Sequence, residues 1–384
     1  MKRLAIVTTH PIQYYAPLFR LLSERGRICV RVFYTWEKEA AAFDKDFGKE
    51  VKWDIPLLEG YDYRFVPNNG NYGKGFFDVR NPTLIKEIEE WKADAVLFFG
   101  WNYYSHLTAL RHFSGRVQVL FRGDSTLLGE KPGLKRIARR AFLRRVYRYV
   151  DTALYVGRYN KAYFRAHGLR EEQLVFAPHA IDNDRFFDAS GMYEQEARDT
   201  KKQIGVGDKE KVLLYVGKFQ ETKDPFLLLN AFSEISDPQW RLLFVGNGEL
   251  ESSLKEKAAA DPRILFLPFQ NQSRMPVIYR LGDLFCLPSK GETWGLAVNE
   301  AMACGRPLLL SDRCGCSPDL VVDNSNGLTF ASGDKKDLIR KMNVLFNEGA
   351  GLTQRGVASA RIIRSWTFDR IADTIEKIVA RQYA

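Results

Sequence analysis

Short apolar runs alternate with longer amphipathic stretches along most of this chain, which is the pattern of a parallel α/β protein. The opening segments RLAIVTT, PIQYYAPLFRLLSERG and CVRVFYT read as strand, helix and strand, and DAVLFFG, VQVLFRG and TALYVG continue the strand series. A hydrophilic span, DASGMYEQEARDTKKQIGVGDKE at 188–210, breaks the rhythm and is expected to be a linker with a short helix. The alternation then resumes with strand KVLLYVG, helix PFLLLNAFSEI, strand WRLLFVG, helix LESSLKEKAA, strand ILFLPF, helix PVIYRL, strand LFCLPS, a short helix and strand PLLLSD. A last amphipathic stretch, SWTFDRIADTIEKIVARQ, reads as a helix. At 384 residues the chain is long enough for two cores, so two Rossmann-like domains are expected.

The first strand-to-helix turn has no glycine before Gly26, so the usual dinucleotide fingerprint is absent there. The loop instead carries His10, Gln13, Tyr14 and Tyr15, polar and aromatic side chains that either cap the turn and pack in the core or face a ligand. Arg122, Gly123 and Asp124 follow the VQVLF strand, and Asp124 is a candidate either to cap a helix start or to orient an acceptor hydroxyl.

The densest chemistry lies in PSKGETWGLAVNEAMACGRP at 288–307. Leu296 to Cys304 is a run of good helix formers, Gly305 stands where a left-handed cap belongs, and Glu292 and Glu300 bracket the helix start. The amides of Trp294, Gly295 and Leu296 would offer a phosphate an unserved helix terminus with a favourable dipole, and Thr293 belongs to the same loop. One carboxylate can hold sugar hydroxyls while the other accepts from a ribose diol.

This segment resembles the signature of retaining GT-B glycosyltransferases of family four (glycosyl transferases group 1), with Trp294 in place of the usual Phe. Three further segments carry the resemblance. They are VLLYVGKFQETKDP with Gly217, Lys218 and Lys223, then Val245 to Leu250 around Gly246 and Gly248, and finally LGDLFCLPS. The resemblance implies two Rossmann-like domains with parallel sheets facing a central cleft. It places an acceptor-side domain at 1–188, a linker at 189–210, a nucleotide-sugar domain at 211–365, and a C-terminal helix at 366–384 crossing back to the first. Glu292 would hold the transferred sugar, Glu300 the ribose, and Lys218 and Lys223 the departing diphosphate, with backbone groups near Pro268 and Phe269 reading the base. Two departures stand out: Lys218 replaces the usual Arg, losing bidentate geometry while keeping charge, and Arg122 to Asp124 replace a family His. APHAIDNDRF at 177–186, with His179 at the family's Asn position, is expected to close the first domain.

No His/Asp cluster at metal spacing stands out, so no metal and no cofactor is expected, the nucleotide-sugar being a substrate. The five cysteines, 29, 286, 304, 314 and 316, are an odd set without a disulfide framework and read as free thiols of a reducing cytoplasm. MKRLAIVTTHPIQ falls short of a signal peptide, and no run approaches the roughly 18 apolar residues of a spanning helix, so a soluble or peripheral protein is expected. Net charge is +10, and residues 1–190 carry 31 Lys and Arg against 22 Asp and Glu. Residues 131–150 hold eight basic residues and no acidic one, with Leu134, Ile137, Ala138, Phe142, Val146 and Tyr149 at helical spacing. That basic amphipathic helix suggests peripheral contact with anionic membrane, at the inner face of the cell membrane if the acceptor is lipid-linked. The expected activity is sugar transfer from a UDP- or GDP-sugar to a glycan or lipid-linked acceptor in polysaccharide or cell-envelope synthesis, with no nucleic-acid partner. The alternatives are a GT-B sugar phosphorylase, a nucleotide-sugar epimerase, or a non-catalytic membrane- or nucleic-acid-binding protein on a degenerate transferase fold.

Overall fold

The computed structural model describes residues 1–36, 43–44, 49–50, 53–71, 75–322 and 325–380. The described chain falls into two compact units, Met1–Pro178 with the C-terminal segment from Phe368, and His179–Thr367. Each is a parallel sheet flanked by helices, because apolar strands buried on both faces require cover on both.

The strands of the first unit are β1 (Arg3–Thr8), β2 (Cys29–Tyr34), β3 (Phe43–Asp44), β4 (Lys49–Glu50), β5 (Asp62–Phe65), β6 (Ala95–Phe99), β7 (Gln118–Arg122), β8 (Thr152–Tyr155) and β9 (Leu174–Phe176). Among the described residues, seven form a parallel sheet in the order β5-β2-β1-β6-β7-β8-β9, with β3 and β4 a separate antiparallel pair. The strand order reverses between β1 and β6. The core beneath is aromatic, with Phe33, Phe98, Phe121, Tyr147, Tyr163 and Phe164 all buried. Helix Phe368–Ala380 lies on helix Ala16–Arg25, where Arg25 donates to Asp373 at 2.7 Å and Asp369 at 2.5 Å, and Arg27 to Glu376 at 2.9 Å. Residues 381–384, the end of the expected C-terminal helix, lie outside the described residues.

The second unit holds β10 (Lys211–Val216), β11 (Trp240–Val245), β12 (Ile264–Leu267), β13 (Leu284–Leu287), β14 (Leu308–Ser311) and β15 (Gly327–Phe330). Their order is β12-β11-β10-β13-β14-β15, so the reversal falls between β10 and β13. Strand β15 and the helices Lys335–Phe346 and Ala350–Ile363 go beyond the elements read from the pattern.

Two expected boundaries are corrected. The unit break falls after Pro178 rather than at 188, because the residues that follow bond into the second unit. There, Arg280 donates to the Phe186 carbonyl at 2.7 Å, Asn183 to the Trp366 carbonyl at 3.1 Å and Arg185 to Gln272 at 2.7 Å. The span 189–210 is likewise no free linker. Helix Met192–Gln203 packs on helix Met275–Arg280, and Lys201 pairs with Asp283 at 2.9 Å. Among the described residues, no helix is long and apolar enough to cross a membrane.

Candidate functional site

The candidate donor residues of the second unit gather where its strands end. Gly217 and Lys218 follow β10, Gly246 follows β11, Pro268 and Phe269 follow β12, and the Glu292 loop follows β13. The β10 and β13 loops flank the point where strand order reverses, the usual ligand position in open α/β sheets. Gly246 is required by its neighbour: at φ +146° its backbone lies against Gly217, and a Cβ there would stand 2.0 Å from the Gly217 carbonyl oxygen. The Lys218 carbonyl is fixed by the buried Tyr215 hydroxyl, which donates to it at 2.7 Å. Desolvation keeps that phenol protonated, its pKa well above the usual value.

Glu292 is held by a one-residue parallel bridge to Cys314. Its N–H donates to the Arg313 carbonyl at 3.0 Å, and its own carbonyl accepts from Gly315 at 3.0 Å. The C-G-C motif is thus a packing and pairing element beside Glu292, with both thiols buried and, by desolvation, raised in pKa. Lys223 ends a single 3-10 turn, Glu221–Lys223, and its ammonium pairs with the Glu292 carboxylate. Both groups are partly accessible, at 24% and 15% of side-chain surface. Behind them Asp224 is nearly buried, with Lys290 at 3.4 Å, and burial raises its carboxyl pKa despite that lysine.

Gly295 caps helix Leu296–Ala303 at φ +97°, where a Cβ would meet Glu292 Cγ at 3.2 Å. The first helical amides have no carbonyl of their own helix to serve. Glu300, one turn further, is 2% exposed and accepts from the Tyr279 hydroxyl at 2.6 Å. Thr293 is exposed, whereas the Trp294 side chain is buried. The Trp294 indole donates to Asn299 at 2.9 Å and its ring packs near His179 and Trp366, so its side chain is part of the core. Asn299 in turn donates to the His179 carbonyl at 2.9 Å.

The first unit has a cavity of about 530 Å³ beyond the ends of β1, β6 and β7, with Tyr15, Trp101, Arg122, Asp124, Arg139 and Tyr163 among its walls. Of the acceptor-side candidates, Arg122 and Asp124 line it, while His10, Gln13 and Tyr14 do not. His10 stacks on Trp36 with ring centroids 5.0 Å apart. The Arg122 guanidinium is committed to backbone, donating to the carbonyls of Ala177 at 2.9 Å and Pro178 at 2.8 Å. Burial lowers its pKa to about 10, against the pull of Tyr15 and Asp124. Burial likewise raises the Tyr15 hydroxyl to about 12, Asp124 adding to the effect.

Sequence reading missed Tyr279, Asn299 and the weight of Tyr15. Tyr279 and Glu300 are 21 positions apart, and only packing joins their helices.

The paired parallel-sheet units define the GT-B class of fold. Residues 196–361 match the family described as glycosyl transferases group 1. The D-inositol 3-phosphate glycosyltransferase of Mycobacteroides abscessus is 33% identical over 172 residues, covering 42% of this chain and 38% of the relative. The N-acetyl-alpha-D-glucosaminyl L-malate synthase of Bacillus anthracis is 27% identical over 222 residues, covering 57% and 55%. The chain therefore spans well under two thirds of these curated relatives. The structure of Anabaena HepE in complex with UDP and glucose superposes over 100% of both chains with a TM-score of 0.73 at 15% identity, a likeness of fold.

Proposed function

We propose that the protein is a retaining, metal-independent glycosyltransferase of family four. It moves a sugar from a UDP- or GDP-sugar to a glycan or lipid-linked acceptor in polysaccharide or cell-envelope synthesis. The observation that carries this reading is the Lys223–Glu292 pair at the reversal point of the second sheet, beside the Gly246 turn and the Gly295 helix start. An ammonium and a carboxylate in contact offer a cation for the diphosphate and an acceptor for sugar hydroxyls within one donor's reach. The match of residues 196–361 and the glycosyltransferase names of the partial relatives agree with it.

In this mechanism Lys218, Lys223 and the helix start at Gly295 take the charge of the departing nucleoside diphosphate. Glu292 holds the transferred sugar and Glu300 the ribose diol. The bond from the anomeric carbon to phosphate oxygen breaks, and the acceptor oxygen bonds to that carbon on the same face. The acceptor's proton passes to the leaving phosphate oxygen. Donor binding exchanges the Lys223–Glu292 contact for contacts to phosphate and sugar, so the pair holds each group in place until substrate arrives.

The test is release of nucleoside diphosphate from UDP- and GDP-sugars in the presence of glycan and lipid acceptor extracts. Turnover that Glu292→Gln lowers by about 100-fold is expected, the size of losing one charge-stabilising group. Phosphate-dependent turnover, or donor isomerisation without acceptor, would instead establish a phosphorylase or an epimerase.

A further inference from the structure

Helix Leu134–Tyr147 in the first unit is anchored at one end. Its buried residues are Leu143, Val146 and Tyr147, all in the final turns, while Leu134 is 84%, Ile137 62% and Phe142 45% exposed. Leu134, Ile137, Ala138, Phe142, Val146 and Tyr149, which share helical spacing, therefore do not act as one stripe, since the first four are exposed and Val146 is buried. At about 100° per residue, Leu134, Ile137, Ala138 and Ala141 share one face, and the centre of the buried set lies about half a turn away. The helix thus shows an apolar stripe on the side turned from its own domain.

Around that stripe the charge has a single sign. Lys131, Lys135, Arg144, Arg145 and Arg148 are exposed, and residues 131–150 contain no acidic side chain. Glu130, just outside, pairs with Arg140 at 2.9 Å. Exposed large apolar side chains beside cations suit a surface that is anionic outside and hydrocarbon beneath. A nucleic-acid backbone would use the cations and leave Leu134 and Ile137 idle.

We propose that the outward face of this helix is a docking surface for an anionic lipid bilayer. Leu134 and Ile137 enter the interface while the surrounding cations meet headgroups. The helix also walls the first unit's cavity through Arg139 and Tyr147, and Phe142 packs on cavity residue Trp101 with centroids 5.4 Å apart. Docking therefore holds that cavity next to the lipid surface. If the proposed transferase activity stands, this deepens it by making the acceptor membrane-borne.

The experiment is flotation of the full chain, without donor, on vesicles of phosphatidylcholine with and without phosphatidylglycerol. Binding at least about tenfold stronger to the anionic vesicles is expected, since each cation near such a surface contributes about 1 kcal/mol. It should weaken by about tenfold or more in Leu134→Asp/Ile137→Asp and again in Lys131→Glu/Lys135→Glu. Exposed positions should leave the unfolding temperature unchanged, and the charge pair serves if the apolar pair misfolds. Equal binding to both vesicles, an apolar variant that binds like wild type, or tighter binding to single-stranded RNA would overturn the proposal. Because no turnover is read, failure here is separate from failure of the transferase reading.

Discussion

The carboxyl edges of the two sheets are built on the same plan and filled in opposite ways. In the second unit the edge is made of tight backbone turns and partly accessible charges, with Lys223 against Glu292 and a helix start beside them. In the first unit the comparable edge is a cavity walled by aromatic rings, and its buried cation, Arg122, is spent on backbone carbonyls. Charges left near solvent are available to a ligand at small cost to folding, whereas charges buried on backbone hold the fold and contribute little to binding. Under the proposed function the second edge is the seat of donor chemistry, and the first a shaped wall.

The contrast breaks most sharply if chemistry and stability are exchanged between the edges. Lys223→Met should lower turnover by about 10²- to 10³-fold while lowering stability by about 1 kcal/mol or less, as for a pair partly open to water. Steady-state kinetics beside urea unfolding checks both halves, and a large stability loss with normal turnover would reverse the assignment.

Acid should act on the first unit. Burial depresses the pKa of His106 to about 4, against the pull of the Gly100 carbonyl 3.3 Å from Nδ1, while the Thr35 hydroxyl lies 2.9 Å from Nε2. Because a carbonyl only accepts, Nδ1 carries the proton and Nε2 accepts from the Thr35 hydroxyl. Below pH 6.5 the unfolded chain takes a proton that the folded chain refuses, so stability is full above 6.5 and falls as pH drops towards 4, by about 3 kcal/mol for this ring. His167, also lowered by burial, adds in the same direction. Urea midpoints at pH 7 and pH 5 measure the slope, which His106→Gln should flatten.

Arg122→Met should cost about 2 kcal/mol by leaving two buried carbonyls without their donor, with donor binding unchanged. A thermal midpoint that falls while nucleotide affinity holds would sharpen the comparison. The smallest effect belongs to Tyr279→Phe. It removes one hydrogen bond to Glu300, and should weaken nucleotide-sugar binding by about fivefold, read by titration calorimetry.

How far the sequence spoke follows the same division. Strand and helix order was readable because buried parallel strands are continuous apolar runs bounded by polar turns, as in KVLLYVG and WRLLFVG. While their roles rest on the proposed function, the place of Glu292, Lys223, Gly246 and Gly295 at strand ends of the second sheet was legible through the resembling motifs, whose turns place glycines at fixed offsets. The first unit's edge was not. Arg122 looks the same in sequence whether it meets a ligand or a carbonyl, and the apolar positions of 134–149 look like one stripe until packing stops at Leu143. The break at Pro178 was hidden because the bonds of Asn183, Arg185 and Phe186 into the second unit span up to 183 positions. Trp294 sat at a motif position whose side chain turned out to be core.

The most direct measurement is thermal unfolding with UDP-, GDP-, ADP- and TDP-sugars and their free nucleotides, on wild type and Glu300→Gln. A ligand at about 100 times its dissociation constant stabilises the native state by about 2.7 kcal/mol. The account predicts a rise in midpoint with one nucleotide class, larger for the sugar nucleotide than for the free one and diminished in Glu300→Gln. No rise with any of them, or a rise untouched by Glu300→Gln and Lys223→Met alike, would contradict a donor site at the edge of the second sheet.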